Sequence, residues 1–129
     1  MMKNVKNKKR ALIVDDNDPI RKIVALTLSS MNFIVATASS GDEGLDLFLK
    51  KPFDLVLTDL EMPGMDGWNL AFHIKGRAPK TQVVLMTGKE REVILQSDNG
   101  KFVDAVIYKP FLLEEVEDTV NRMIVGFLP

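Results

Sequence analysis

The chain has no cysteine among its 129 residues. Disulfides and thiolate metal sites are therefore excluded, and the composition fits a reducing, cytoplasmic compartment. It has a single histidine, His73, so no histidine pair can offer metal-ligand spacing; His73 reads as a structural or surface residue. No apolar run approaches the ~20 residues a membrane span needs. The N-terminal stretch carries Lys3, Lys6, Lys8, Lys9 and Arg10 but no apolar segment of the secretory kind. Residues 1–9 read as a disordered basic leader ahead of one domain over 10–126. No aromatics interleave with those lysines and the net charge is only −1, so neither direct nucleic-acid binding nor membrane binding is indicated. No Gly-x-Gly-x-x-Gly follows the first apolar run, which argues against a dinucleotide site.

Short apolar runs and helical patterns alternate along the chain. Strands are expected at about 10–14, 33–38, 54–58, 81–86 and 104–108. The third and fourth are rich in Val and Leu on both faces, as strands covered on both sides should be. Five strands alternating with helices imply an α/β sandwich with a parallel sheet and right-handed crossovers. The first helix is expected to be capped by Asp18, with Pro19 at its first position and Ile20, Ile23, Val24, Thr27, Leu28 and Met31 at helical spacing. The second is expected from about Asp42 to Lys50 with Leu45, Phe48 and Leu49 inward, stopped by Pro52. The third is expected from about Trp68 to Lys75, with Leu70, Phe72 and Ile74 as its apolar residues. The fourth is expected from Glu90 to Ser97, ended by Asp98-Asn99-Gly100. The last is expected from Leu113 to Val125, with Val116, Val120, Met123, Ile124 and Phe127 on one side.

The ends of these strands carry the chemistry. Asp15 and Asp16 follow the first, Asp59 the third, Thr87 the fourth and Lys109 the fifth. With the first and third strands adjacent, as in the order 2-1-3-4-5, the three carboxylates meet at the point where strand order reverses. Two carboxylates 4 Å apart repel by roughly 4 kcal/mol at an effective dielectric near 20, and a divalent cation removes that conflict. Only oxygen ligands are at hand, which points to a hard ion, Mg²⁺, with Mn²⁺ as the alternative. Asp59 is the expected nucleophile toward phosphorus, Lys109 the charge-neutralising cation and Thr87 a hydroxyl donor to a phosphoryl oxygen. Singly, each residue could be a turn residue; the ordered set at one sheet edge is what carries the reading.

At these residues the chain resembles the receiver domain of two-component response regulators. The matching segments are Leu12 to Asp16, Leu57 to Gly67, Met86-Thr87-Gly88 and Tyr108-Lys109-Pro110-Phe111, within a resemblance spanning about residues 10–125. The resemblance implies a flavodoxin-like fold of five βα units. It implies that Asp59 accepts a phosphoryl group from a phosphohistidine on a sensor kinase or phosphotransfer protein. Mg²⁺ would be held by Asp15, Asp16, Asp59 and the backbone carbonyl of Glu61. Thr87 and Lys109 would contact the phosphoryl group, and the bond before Pro110 would be cis. Phosphorylation would re-pack the face made by the fourth helix, fifth strand and fifth helix, which contacts a downstream protein or effector domain as a monomer or a phosphorylation-dependent dimer. Such a domain is a switch that assists its own phosphorylation and dephosphorylation rather than an enzyme.

One position departs from the family pattern. Three residues before the lysine, where the family commonly has an aromatic, stands Val106, and Tyr108 lies immediately before Lys109 instead. Glu61 and Lys89 flank the site with opposite charges that could pair across it. A phosphorylation-independent interaction module on the same fold is the alternative function; loss of an acid or of the lysine would mark it, and neither is lost. An Asp-nucleophile phosphatase is a third reading, since Glu61 stands two residues after Asp59, but the chain has no room for a cap domain. The chain is either a single-domain regulator or the receiver of a longer protein.

Overall fold

A computed structural model describes residues 8–125. Of the expected leader, residues 1–7 lie outside the described residues, as do the domain's expected last residue, 126, and Phe127. The strands are β1 (Arg10–Val14), β2 (Ile34–Ala38), β3 (Leu55–Asp59), β4 (Gln82–Thr87) and β5 (Ala105–Tyr108). The helices are α1 (Asp18–Ser30), α2 (Gly41–Lys50), α3 (Gly67–Arg77), α4 (Arg91–Leu95) and α5 (Leu113–Val125). All strand pairs are parallel, in the order β2-β1-β3-β4-β5. This is the expected flavodoxin-like architecture.

The strand pleat sends alternate residues to opposite faces of the sheet. Ile13, Leu57 and Met86 pack beneath Val24 and Leu28 of α1 and Val116 and Val120 of α5. Leu12, Val14 and Val56 pack against Phe48 of α2 and Leu70 and Ile74 of α3. A third, smaller cluster of Leu60, Leu85 and Ile94 takes in Trp68, Val106 and Tyr108. Because β3 lies between β1 and β4 under helices on both faces, every one of its residues is buried, Asp59 included.

Several local details differ from expectation. The cap of α1 is Asn17, whose side chain accepts the Ile20 N–H, and Asp18 is the first helical residue. Asp18 instead pairs with Arg21 one turn on, so the neighbouring Asn takes the capping geometry. Leu49, expected inward, is exposed, as are Ile23 and Phe72; Phe48 is buried as expected, and the small residues Gly44 and Ala71 join the buried positions of α2 and α3. Phe72 rests edge-on against Phe102. Helix α4 is shorter than expected, and Asp98–Phe102 forms a 3₁₀ helix rather than a stop. There the Ser97 side chain accepts the Asn99 N–H and starts a second, tighter turn.

Candidate functional site

The β3 register sets Asp59 beside Met86 of β4, while Val14 of β1 lies beside Thr58. The acids that follow β1 therefore emerge next to the last residue of β3. Carboxylate oxygens of Asp15, Asp16 and Asp59 lie within 4.8 Å of one another. Asp15 and Asp59 are buried and Asp16 is exposed. Lys109, carried in from the end of β5, donates from Nζ to Asp15 Oδ2 and to Asp59 Oδ1, both at 3.1 Å.

One lysine thus serves two buried carboxylates while a third stands beside them. Burial raises the Asp59 pKa above its ordinary 3.8, and the Asp15 carboxylate raises it further; the Lys109 bond opposes this without overcoming it. Burial alone would lower the Lys109 pKa, but its bonds to Asp15 and Asp59 outweigh that, and the ammonium holds its proton above the usual range. The trio therefore carries more negative charge than the protein neutralises. An all-oxygen donor set with excess negative charge, part buried and part open to water, fits a hard divalent cation.

Backbone close approach builds the site as well. A Cβ on Gly67 would lie 2.5 Å from the Asp59 carbonyl oxygen and 2.9 Å from Leu60 Cα. The Gly67 N–H donates to the Leu60 carbonyl at 2.9 Å. Only glycine lets α3 begin so near the end of β3. Thr87 is fully buried; its hydroxyl oxygen accepts the Lys89 N–H at 3.0 Å, and its carbonyl accepts the Lys109 N–H at 2.7 Å. The Lys109–Pro110 bond is cis, as expected. Lys89 Nζ stands 3.8 Å from Glu61 Oε2, so the expected pair across the site is present as an exposed contact. Beside it opens a cleft of about 430 Å³ whose lining includes Leu60, Glu61, Met62, Trp68 and Lys89. Val106 is half-buried next to Tyr108, and the Arg91 guanidinium lies 5.6 Å from the Tyr108 ring centre. His73 is exposed on α3, away from the acids in sequence and by element.

Sequence reasoning passed over three residues that shape the site. Asn17 donates its N–H to Asp15 Oδ1 at 2.9 Å, Arg21 donates to the Asp15 carbonyl at 2.8 Å, and Gly67 permits the close approach just described. The Asp18-to-Arg21 spacing on a helix was a visible signal for the second. The first and third depend on backbone geometry that no side-chain pattern announces.

An open parallel sheet with an acid trio and one lysine at its carboxyl edge defines a flavodoxin-like domain suited to cation and phosphoryl chemistry. Comparison with known proteins narrows the class. The family model of the response regulator receiver domain matches residues 11–121. The transcriptional regulatory protein ResD of Bacillus subtilis is 33% identical over 118 residues, covering 92% of this chain and 49% of ResD. The DNA-binding transcriptional regulator NtrC of Klebsiella pneumoniae is 35% identical over 114 residues, covering 88% of this chain and 24% of NtrC. Among solved structures, the chemotaxis protein CheY4 of Vibrio cholerae superposes with a TM-score of 0.82 at 28% identity, covering 90% of this chain and 98% of that one. The response regulator TrrA of Thermotoga maritima, solved in complex with Mg²⁺–BeF, gives 0.79 at 30% identity over 89% and 98%. The chain belongs to the response regulator receiver domain family, and its trio Asp15, Asp16 and Asp59 fits that family's phosphoacceptor pocket. Receiver domains of this family are phosphoacceptor switches rather than enzymes of the ordinary kind. The chain spans about half the length of the first curated relatives it matches. No described helix is long and apolar enough to cross a membrane.

Proposed function

We propose that Asp59 is the phosphoacceptor of a phosphorylation switch, with a phosphohistidine on a sensor kinase or phosphotransfer protein as donor. The observation that carries this is the lysine shared between buried Asp15 and Asp59, with Asp16 within 4.8 Å. Mg²⁺ or Mn²⁺ would be held by Asp15, Asp16, Asp59 and the Glu61 backbone carbonyl, where it supplies charge neutralisation for the phosphoryl oxygens. A carboxylate oxygen of Asp59 attacks phosphorus, the phosphorus–nitrogen bond of the donor breaks, and the imidazole nitrogen leaves with its electron pair. Lys109 already donates to Asp59 Oδ1 and can shift to a phosphoryl oxygen without leaving the pocket. The Thr87 hydroxyl oxygen accepts from Lys89, which leaves its proton free to donate to the phosphoryl group. These groups assist transfer to Asp59 and, by the same contacts, attack by water on the acyl phosphate.

Movement of Thr87 would be felt next in the cluster of Leu60, Leu85, Ile94, Val106 and Tyr108, which joins β4, α4 and β5. The face of α4, β5 and α5 is then the surface offered to a downstream protein or effector domain, by a monomer or a phosphorylation-dependent dimer. Because Val106 stands where the family commonly has an aromatic, the swing of an aromatic at that position does not operate here.

Titration with Mg²⁺ followed by Trp68 fluorescence tests the cation half of the reading, since Trp68 lines the cleft beside Glu61. Saturable change in the wild type and its loss in Asp16→Asn and Asp15→Asn are expected. No Mg²⁺ response in a folded wild type would instead favour a phosphorylation-independent interaction module.

A further inference from the structure

Asp15 is tied down at every polar atom, each time by a different residue. Its N–H donates to the Ala38 carbonyl at 3.1 Å. Its Oδ1 accepts from Asn17 at 2.9 Å, and its Oδ2 accepts from Lys109 at 3.1 Å. Its carbonyl oxygen accepts from Nη1 of Arg21 at 2.8 Å. Asp16 is the opposite: exposed, and without a side-chain hydrogen bond among the described residues.

Arg21 is conspicuous in this arrangement. Its side chain is only 15% exposed, and its Nη2 is held by the Asp18 carboxylate on the same helix. Drawing a guanidinium out of water costs free energy, and no bond runs from this one to the acid trio's carboxylates. Its target is the Asp15 carbonyl. That oxygen, the Asp16 nitrogen and the Asp16 Cα lie in one rigid peptide plane. Anchoring the oxygen therefore fixes the direction in which the chain enters Asp16.

We infer that Arg21 is a positioning residue for the cation site, which aims the otherwise free Asp16 carboxylate at Asp15 and Asp59 by locking the Asp15–Asp16 peptide. The inference rests on the reading of the trio as a cation site. Its sign separates it from simple electrostatics. Arg21 is a positive charge near a site for a positive ion, so by Coulomb's law its removal should tighten cation binding. Positioning requires the reverse.

The test is Mg²⁺ titration by Trp68 fluorescence in the wild type, Arg21→Met and Arg21→Lys, with amide hydrogen exchange at Asn17, whose N–H is held by Asp15 Oδ1, measured on the metal-free proteins. Arg21→Met is expected to bind Mg²⁺ roughly tenfold more weakly, the low end of what outer-shell partners contribute, and to exchange the Asn17 amide faster. Arg21→Lys keeps the charge and the helix propensity but offers a single point donor in place of a fork; an intermediate loss is expected, and it carries the test if Arg21→Met fails to fold. Unchanged or tighter Mg²⁺ binding in a folded variant would overturn the inference, as would weaker binding with unchanged exchange at Asn17. A wild type that binds no Mg²⁺ would overturn the cation-site reading itself, a distinct result seen before any variant is compared.

Discussion

The two ends of the sheet both set carboxylates beside cations, in opposite balance. At the amino end, Asp104 Oδ2 accepts from the Val83 N–H and from Lys75 Nζ, both at 2.7 Å, and Lys75 also donates to the Thr81 carbonyl at 2.7 Å. Nearby, Asp54 accepts the Arg10 N–H at 2.8 Å, while the Arg10 guanidinium lies over Phe53. Each acid there has its own donors, and each bond ties one strand to the next element. At the carboxyl end one lysine serves two of three clustered acids, and the third, Asp16, stands beside them without one. Carboxylates matched by donors hold the fold; carboxylates in excess of their donors suit a cation from outside the chain. The helices reinforce the contrast, because their positive N-terminal ends all face the carboxyl edge and favour negative charge there.

Removing the lysine at each end should expose this difference most strongly. Lys109→Met strands two buried carboxylates and is expected to cost about 3 kcal/mol of metal-free stability, part of which Mg²⁺ restores. Lys75→Met leaves Asp104 bonded to Val83 and partly exposed, and is expected to cost about 1 kcal/mol with no response to Mg²⁺. Urea unfolding with and without Mg²⁺ checks both. Equal losses, or rescue of both variants, would break the comparison.

The glycines of α3 provide a second contrast, smaller in size. Gly67→Ala at the carboxyl end drives a methyl into the Asp59 carbonyl and is expected to cost about 2 kcal/mol and to displace Asp59. Gly76→Ala, near the other end of the same helix, meets nothing within 4 Å and is expected to stabilise by up to ~1 kcal/mol. Thermal unfolding of the two variants decides it.

Smaller again is the effect of Asp59→Asn, expected to raise the thermal midpoint of the metal-free protein by a few degrees, as about 1 kcal/mol does in a domain of this size. The sign follows from the raised Asp59 pKa. A carboxyl whose pKa is higher in the folded than in the unfolded state penalises folding above its folded value. That penalty fades as pH falls through the folded value and is gone below the ordinary 3.8. The advantage of Asp59→Asn over wild type should therefore shrink on acidification and disappear near the ordinary value. An advantage that grows on acidification would contradict the assignment.

The sequence was most legible where one physical demand dominates. The central strands β1, β3 and β4 are buried on both faces, so each has an apolar middle, and the polar residues that close each run mark the sheet edge. Asp15, Asp59 and Thr87 could be read off for that reason, Lys109 from the end of the shorter apolar run of β5, and the order 2-1-3-4-5 then brought them together. Legibility fell where two solutions were close in energy. Asn17 and Asp18 are both competent caps, and which one caps α1 depended on Arg21 claiming Asp18. Apolar residues at helical spacing do not reveal which small residue faces the sheet, so Leu49 was expected inward although it is exposed and Gly44 is buried. The pinning of Asp15 by Arg21 and Asn17 was the least legible feature, because it is made by a backbone carbonyl and a backbone N–H, which every residue possesses.

Phosphoryl transfer to Asp59 is read most directly from the intact mass of wild type and Asp59→Asn after incubation with Mg²⁺ and a small acyl phosphate. A single added phosphoryl group is expected on the wild type, absent from Asp59→Asn and absent when EDTA is present from the start. A wild type that stays unmodified while folded and bound to Mg²⁺, or an Asp59→Asn variant that is modified equally well, would contradict it.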